Sequence, residues 1–319
     1  MPHRCAILDD YQRVALTSAD WSPVKADLDI TVFDAPLGGD DAVIQALKDF
    51  PIVCAMRERT RFPRRVLEAL PNLKLLITTG MRNASIDVKA AIERGITVCG
   101  TGAVGQPTVG IAVGLMLELT RHIGFENARM KAGEPWQVTV GTDVDGKTLG
   151  VVGLGRLGSG VAKVAQALGM RVIAWSQNLT ADKAQAAGAE LVSKDDLFRR
   201  ADVITVHLVL SDRSRGLIGA RELGLMKPTA YIINTARGPI IDEKALIAAL
   251  AERRIAGAGL DVFDVEPLPT DHPLRRLDNV VLTPHLGYVS AENYAAYFRD
   301  TVADIRAFLD GNAVRRIAP

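Results

Sequence analysis

The sequence is poor in aromatic residues, poor in cysteine and almost free of net charge. Phe, Trp and Tyr make up 5% of its 319 residues. Ala, Val, Leu and Ile dominate its apolar set, which suits strands buried on both faces of a parallel sheet. Cys5, Cys54 and Cys99 are odd in number and widely spaced, with no CxxC pair. That argues against a disulfide framework or a zinc site and for a reduced, cytoplasmic setting. Each lies in an apolar run and reads as a small buried side chain. Thirty-eight Lys and Arg against 37 Asp and Glu leave a formal charge of +1. No bulk positive field exists to hold a nucleic acid or an anionic membrane. No apolar run approaches the roughly 18 residues of a membrane span. The opening MPHRCAILDD reaches two acids after a short apolar run and lacks the apolar core of a secretion signal.

Short apolar runs alternating with helical periodicity are what the chain does have. Runs at 5–10, 30–35, 52–56, 74–80 and 95–100 read as strands. Segments 40–49, 64–70 and 87–95 carry apolar residues at helical spacing. A nearly all-apolar stretch, 108–124, reads as a buried helix, and 133–145 reads as a surface loop. A second series follows, with strands at 147–153, 170–176, 201–210, 229–236, 255–263 and 279–285. Helices are expected at 156–169, 242–254 and 290–311. Alternation of this kind predicts an α/β fold with parallel sheets and right-handed crossovers. The length suits about two domains. We expect a discontinuous substrate domain, 1–101 plus 290–319, around an inserted nucleotide domain, 102–289, with a ligand cleft between them.

Gly153-Leu-Gly155-Arg156-Leu157-Gly158 fits G-x-G-x-x-G between a strand and a helix, the context a dinucleotide loop needs. Gly153 permits the tight turn, Gly155 lets backbone approach a pyrophosphate, and Gly158 lets helix and strand pack closely. The helix start offers unpaired N–H groups to phosphate. An acid is expected at the end of the next strand to hold the ribose of NAD. Ala174-Trp175-Ser176-Gln177-Asn178 stands there instead. Without a carboxylate to repel a 2′-phosphate, and with Arg156 in the loop, Ser176 and Gln177 favour NADP slightly within an NAD(P) reading.

Three elements lie further on: Asn234-Thr235-Ala236-Arg237-Gly-Pro, Gly259-Leu-Asp261-Val-Phe-Asp-Val-Glu266-Pro, and Thr283-Pro-His285-Leu-Gly. Arg, Glu and His each stand just past a predicted strand. In this order the three elements resemble those of the D-isomer-specific 2-hydroxyacid dehydrogenases, whose reaction, reduction of a 2-keto acid, needs hydride at the carbonyl carbon and a proton at its oxygen. Histidine suits that proton. A neighbouring carboxylate fixes the imidazole and favours its charged form. Arginine suits bidentate grip on a substrate carboxylate. His285, Glu266 and Arg237 fill those parts, and no metal is required.

With these motifs the chain resembles the D-isomer-specific 2-hydroxyacid dehydrogenases, most densely from GKTLGVVGLGRLG to TPHLG. The resemblance implies two Rossmann/flavodoxin-like domains, a homodimer and NAD(P)-linked oxidation or reduction of a small acid such as glyoxylate or hydroxypyruvate. It also implies that Asp261 bonds the nicotinamide carboxamide and that Leu208, Val209, Thr235 and Ala236 border the cofactor. Formate dehydrogenases resemble this chain but carry Gln where Glu266 stands, which disfavours formate.

The chain departs from that pattern where the family holds the substrate carboxylate, in a small Gly/Ala-rich loop. Here it reads Gly80-Met81-Arg82-Asn83-Ala84, and Arg82 becomes a second anion contact. Gly110 replaces a common Glu near the start of the long helix. Arg57, Arg59, Arg61, Arg64 and Arg65 crowd one stretch, either as a basic rim for an anionic substrate or as a solvated helix start. Arg57, directly after a strand, is the strongest candidate among them. Trp136 either covers the cleft or packs its own loop, and His122 reads as structural. Two rivals stay open: a dinucleotide-sensing binding protein of the same fold, and a methyltransferase that uses a glycine turn. The latter leaves Arg237, Glu266 and His285 unexplained.

Overall fold

A computed structural model describes residues 1–318. The chain forms two compact units, Met1–Gly105 with the stretch from Ser290 onward, and Gln106–Val289. The first unit holds β1 (His3–Ile7), β2 (Leu28–Val32), β3 (Ile52–Ala55), β4 (Leu75–Thr78) and β5 (Thr97–Gly100). All are parallel, in the order β2-β1-β3-β4-β5. Every residue of β3 and β4 is buried, as apolar runs on a two-sided sheet require. Phe62, Leu67, Leu70 and Leu47 fill one face of this core. Each such side chain contributes about 1.5–3 kcal/mol on burial. The long helix Ala291–Leu309 starts at a Ser290 cap and buries Tyr294, Tyr297, Phe298, Val302 and Ile305.

The second unit holds β6 (Thr148–Val152), β7 (Arg171–Trp175), β8 (Glu190–Leu191), β9 (Val203–Val206), β10 (Tyr231–Asn234), β11 (Gly257–Leu260) and β12 (Val280–Leu282). They form one parallel sheet, ordered β12-β11-β10-β9-β6-β7-β8. Both sheets are doubly wound. The first has the flavodoxin-like order and the second extends the Rossmann order by one strand. In each the chain leaves one strand pair in opposite directions, β1/β3 and β6/β9, and ligands of such sheets bind beyond the carboxyl ends there.

Every strand expected from the sequence is present. β8 was not expected, because two exposed residues make no apolar run. The stretch 108–124 is a correction. It breaks at His122, whose φ is 54°, into the helices Pro107–Arg121 and Ile123–Lys131. Only Ala112, Leu115, Met116, Leu119 and Thr120 of the first are buried. Its small residues Gly110 and Gly114 face outward, so an apolar composition does not here mean burial all round. His122 serves as the junction, donating its backbone N–H to Glu118 at 2.8 Å. No helix of the described residues is long and apolar enough to cross a membrane.

Candidate active site

All seven strands of the second sheet run the same way, so the turns after them lie along one carboxyl edge. The glycine loop follows β6. Gly153 has a φ of +100°, and a Cβ there would lie 2.9 Å from the backbone of His207 and from Leu208. A Cβ on Gly158 would collide with the Gly153 carbonyl. Gly155 has nothing within 4 Å of such an atom, so the middle of the loop faces open space. Gly155 is also the last residue before the helix Arg156–Ala167, where Arg156 is exposed and Leu157 half-buried. The edge thus has the tight turn, the close packing and the open backbone that a pyrophosphate needs. Ser176 and Gln177 follow β7 next door.

On the other side, β9 leads into His207, Leu208 and the exposed Val209. His207 escaped sequence reasoning. Its Nε2 is 2.8 Å from Thr205 Oγ1, and burial pushes its pKa down to about 4. It is therefore a neutral support beneath Gly153. Thr235, after β10, has a buried hydroxyl with no hydrogen-bond partner among the described residues. Such an orphan fits a ligand that supplies the missing bond.

Arg237 stands at the end of a turn stapled by Asn234. The Asn234 side chain accepts from Ala236 N (3.0 Å) and donates to the Arg237 carbonyl (2.9 Å). Arg237 Nη1 donates to Ala236 O at 2.7 Å. A Cβ on Gly238 would collide with the backbone of Phe263, so only glycine lets this turn abut the next one. That next turn carries Glu266, whose Oε1 accepts from Phe263 N at 2.9 Å. Its other oxygen, Oε2, accepts from His285 Nδ1 at 2.7 Å. His285 sits in the left-handed region at φ 54°, and Tyr288 packs edge-on to its ring at 5.3 Å.

Asp261 is fully buried, and burial raises its pKa. One of its oxygens accepts from Thr283 Oγ1 (2.6 Å) and Leu286 N (2.7 Å), the other from Gly287 N (2.8 Å). These bonds hold the loop that carries His285, at the residue for which the resemblance implies a bond to the nicotinamide carboxamide. Thr108 closes the same loop by donating to the Gly287 carbonyl at 2.6 Å. Asn234, Gly238 and Thr283 lie inside the quoted motifs, but spacing alone does not reveal their parts.

The comparisons with known proteins point the same way. The family described as "D-isomer specific 2-hydroxyacid dehydrogenase, NAD binding domain" matches residues 113–287, more than half of the chain. The chain belongs to the D-isomer-specific 2-hydroxyacid dehydrogenase family. It is 39% identical to a D-3-phosphoglycerate dehydrogenase of Methanocaldococcus jannaschii, over 87% of this chain and 53% of that one. The chain thus spans about half the length of that relative. It is 35% identical to a glyoxylate reductase of Korarchaeum cryptofilum, over 89% of this chain and 87% of that one. The structure of a phosphoglycerate oxidoreductase from Vibrio cholerae superposes with a TM-score of 0.92 at 32% identity, covering 97% of this chain and 99% of that one. Other family relatives are named hydroxypyruvate reductases.

In the first unit, the sequence-predicted substrate residues lie on the carboxyl edge of its own sheet. Gly80 follows β4 at φ +87°, and its N–H donates to Thr101 Oγ1 at 2.9 Å. A Cβ there would collide with the Arg57 guanidinium. Arg57 donates its Nη1 to Thr79 O (3.0 Å) and its N–H to Thr79 Oγ1 (2.9 Å). Met81 and Arg82 are exposed. The arginine crowd divides. Arg64 pairs with Glu93 at 2.8 Å and with Glu68, and Arg65 with Asp41, as a solvated helix start would. Arg57 and Arg59 instead face their own sheet edge. Trp136 is 65% exposed.

Proposed function

We propose that this protein interconverts small 2-keto acids and D-2-hydroxy acids with NAD(P)(H). The observation that carries the reading is the 2.7 Å pairing of His285 with Glu266, on the same sheet edge as Arg237 and the glycine loop. Glu266 accepts from Nδ1, which fixes the imidazole and leaves Nε2 to exchange the proton. Protonated His285 delivers it to the carbonyl oxygen in reduction. Neutral His285 removes it from the hydroxyl in oxidation. Arg237 holds the substrate carboxylate through its planar fork. Arg57, Gly80, Met81 and Arg82 are the substrate contacts from the first unit.

The dinucleotide supplies or accepts the hydride when bound. Gly153, Gly155, Arg156, Leu157 and Gly158 would hold its pyrophosphate, and Leu208, Val209, Thr235 and Ala236 would border it. Ser176 and Gln177 replace the ribose-binding acid, which supports the slight preference for NADP. Glu266 in place of Gln makes formate a poor substrate in this reading. A reduced, cytoplasmic setting accords with three free, buried cysteines.

A homodimer completes the reading. Ile123, Phe125, Met130, Trp136, Val138 and Val140 are 50–95% exposed within one short segment. So much exposed apolar surface in one place marks an interface, and a two-fold pair of copies is the commonest way to cover it.

Initial rates of NADH and NADPH oxidation with glyoxylate, hydroxypyruvate, pyruvate, phenylpyruvate and phosphohydroxypyruvate test the activity. Turnover of at least one acid is expected. Tight dinucleotide binding with no turnover of any acid would favour the dinucleotide-sensing alternative.

A further inference from the structure

β5 is the last strand on its side of the first sheet, and an edge strand leaves a row of backbone groups unpaired. The chain covers this edge itself. Gly311, at φ +77°, follows the helix Ala291–Leu309 and turns the chain back. Arg316 then stands opposite Cys99 in an antiparallel bridge. Gly100 N donates to Arg315 O at 3.0 Å, and Ile317 N donates to Val98 O at 2.8 Å. Two such bonds hold a segment weakly by themselves, because each replaces bonds to water.

Side chains supply the rest. Arg315 lies in the left-handed region at φ 48°. Its Nη2 donates to Asp300 O at 2.8 Å and faces Asp304 Oδ1 at 3.0 Å. Asp304 is fully buried on the helix Ala291–Leu309, so losing that cation would leave an ionised carboxylate buried and uncompensated. The segment 315–317 is therefore anchored at its start. Its far end is apolar. Ile317 packs against the core that holds Phe62, Leu67 and Leu70.

The tip of Ile317 also meets the loop after β4. A Cβ on Gly100 would lie 3.0 Å from Ile317 Cδ1, 2.8 Å from Gly80 O and 3.1 Å from Met81 Cα. Ile317 and the Gly80–Met81 peptide thus converge over Gly100, where the missing side chain leaves room for both. Gly80 N donates to Thr101 Oγ1 at 2.9 Å, just past the same strand. A loop of main chain sets its own shape poorly, and glycine at φ +87° least of all. Here β5 and the segment paired with it back the loop.

We infer that residues 315–317 are a strap, anchored by Arg315 on Asp304, that positions the Gly80–Met81 peptide through Ile317. All of its parts belong to the first unit. Its bearing on catalysis rests on the reading of Gly80, Met81 and Arg82 as substrate contacts.

Amide exchange and steady-state rates with the best keto acid test the strap in Ile317→Ala, Ile317→Leu and Arg315→Met. The Leu8 amide, bonded to Cys54 O at 2.9 Å in the middle of the sheet, reports the stability of the whole unit. In Ile317→Ala, exchange at Gly80 is expected to quicken at least tenfold more than at Leu8. KM rises at least fivefold while kcat stays within twofold. Ile317→Leu, which keeps an apolar tip, stays near the wild type in both. Arg315→Met quickens exchange at Gly100 and at Gly80 together. Equal acceleration at Gly80 and Leu8 would mean a general loss of stability and overturn the inference, as would a Gly80 amide that does not respond. A loosened Gly80 with unchanged KM would overturn the positioning role. If no keto acid is turned over, the functional reading falls, and Gly80 exchange still decides whether the strap holds the loop.

Discussion

The two sheets end in carboxyl edges of opposite character. The edge of the second is built from backbone and short side chains packed to a fixed fit. Gly153, Gly158 and Gly238 each stand where a Cβ would meet main chain, and Asp261 takes three donors from the loop of His285. The edge of the first carries long side chains laid over their neighbours, Arg57 on the Gly80 backbone and Arg59 on the Tyr11 ring. The difference teaches where each kind of constraint belongs. In the function proposed above the second edge carries hydride and proton transfer, which tolerate little misplacement. The first meets substrate side chains, which vary, and long side chains can be exchanged without remaking the backbone.

Glycine replacement tests that contrast most strongly. Gly238→Ala is expected to cost activity at least 10³-fold and stability by about 3 kcal/mol, because the added carbon meets the Phe263 backbone, which cannot yield. Gly80→Ala is expected to cost about 1–2 kcal/mol from its positive φ, while the Arg57 guanidinium swings aside. Its activity loss falls mainly on KM. Chemical melts and steady-state rates on both variants decide the matter. Equal losses would erase the distinction.

A smaller effect separates the units by pH. Burial pushes His207, in the second unit, down to about 4 from 6.5. Its contribution is complete above the unfolded value and is lost as pH falls from about 6.5 to 4. Burial pushes Asp304, in the first unit, up to about 7 from 3.8. Arg315 faces it at 3.0 Å, and Cys54, Cys99 and Asp300 also lie near it. Its contribution is complete below 3.8 and is lost as pH rises toward 7. Between these values each group gives a slope of up to about 1.4 kcal/mol per pH unit, with opposite signs. Because the two slopes oppose each other over the same range, denaturant melts at pH 5 and pH 6.5 should show stability falling more with rising pH in His207→Asn and rising more in Asp304→Asn than in the wild type. Unchanged slopes in both would contradict the burial argument.

The two edges also differ in how far they could be read in advance. Strands were legible because a strand buried on both faces must be an apolar run. β8 has no buried face and left no signal. Arg237, Glu266 and His285 were legible because each follows a strand in a motif that one reaction explains. The contact between Glu266 and His285 spans 19 residues of sequence (285 − 266) and comes from the parallel β11–β12 register, which no spacing states. His207 was missed because a half-buried neutral histidine looks like any other at a strand end. Arg59 could not be separated from Arg64 and Arg65 until the partners of those two, Glu93 and Asp41, were seen. Its own partners come from residues 9, 11 and 294, brought together by topology alone.

The central claim is that His285, held by Glu266, moves the proton in keto-acid reduction. Steady-state rates of His285→Ala with the best keto acid, beside its dinucleotide affinity, test it most directly. The account predicts a fall in kcat of about 10²–10⁴-fold with dinucleotide Kd little changed. A His285→Ala enzyme that keeps its wild-type kcat would contradict it.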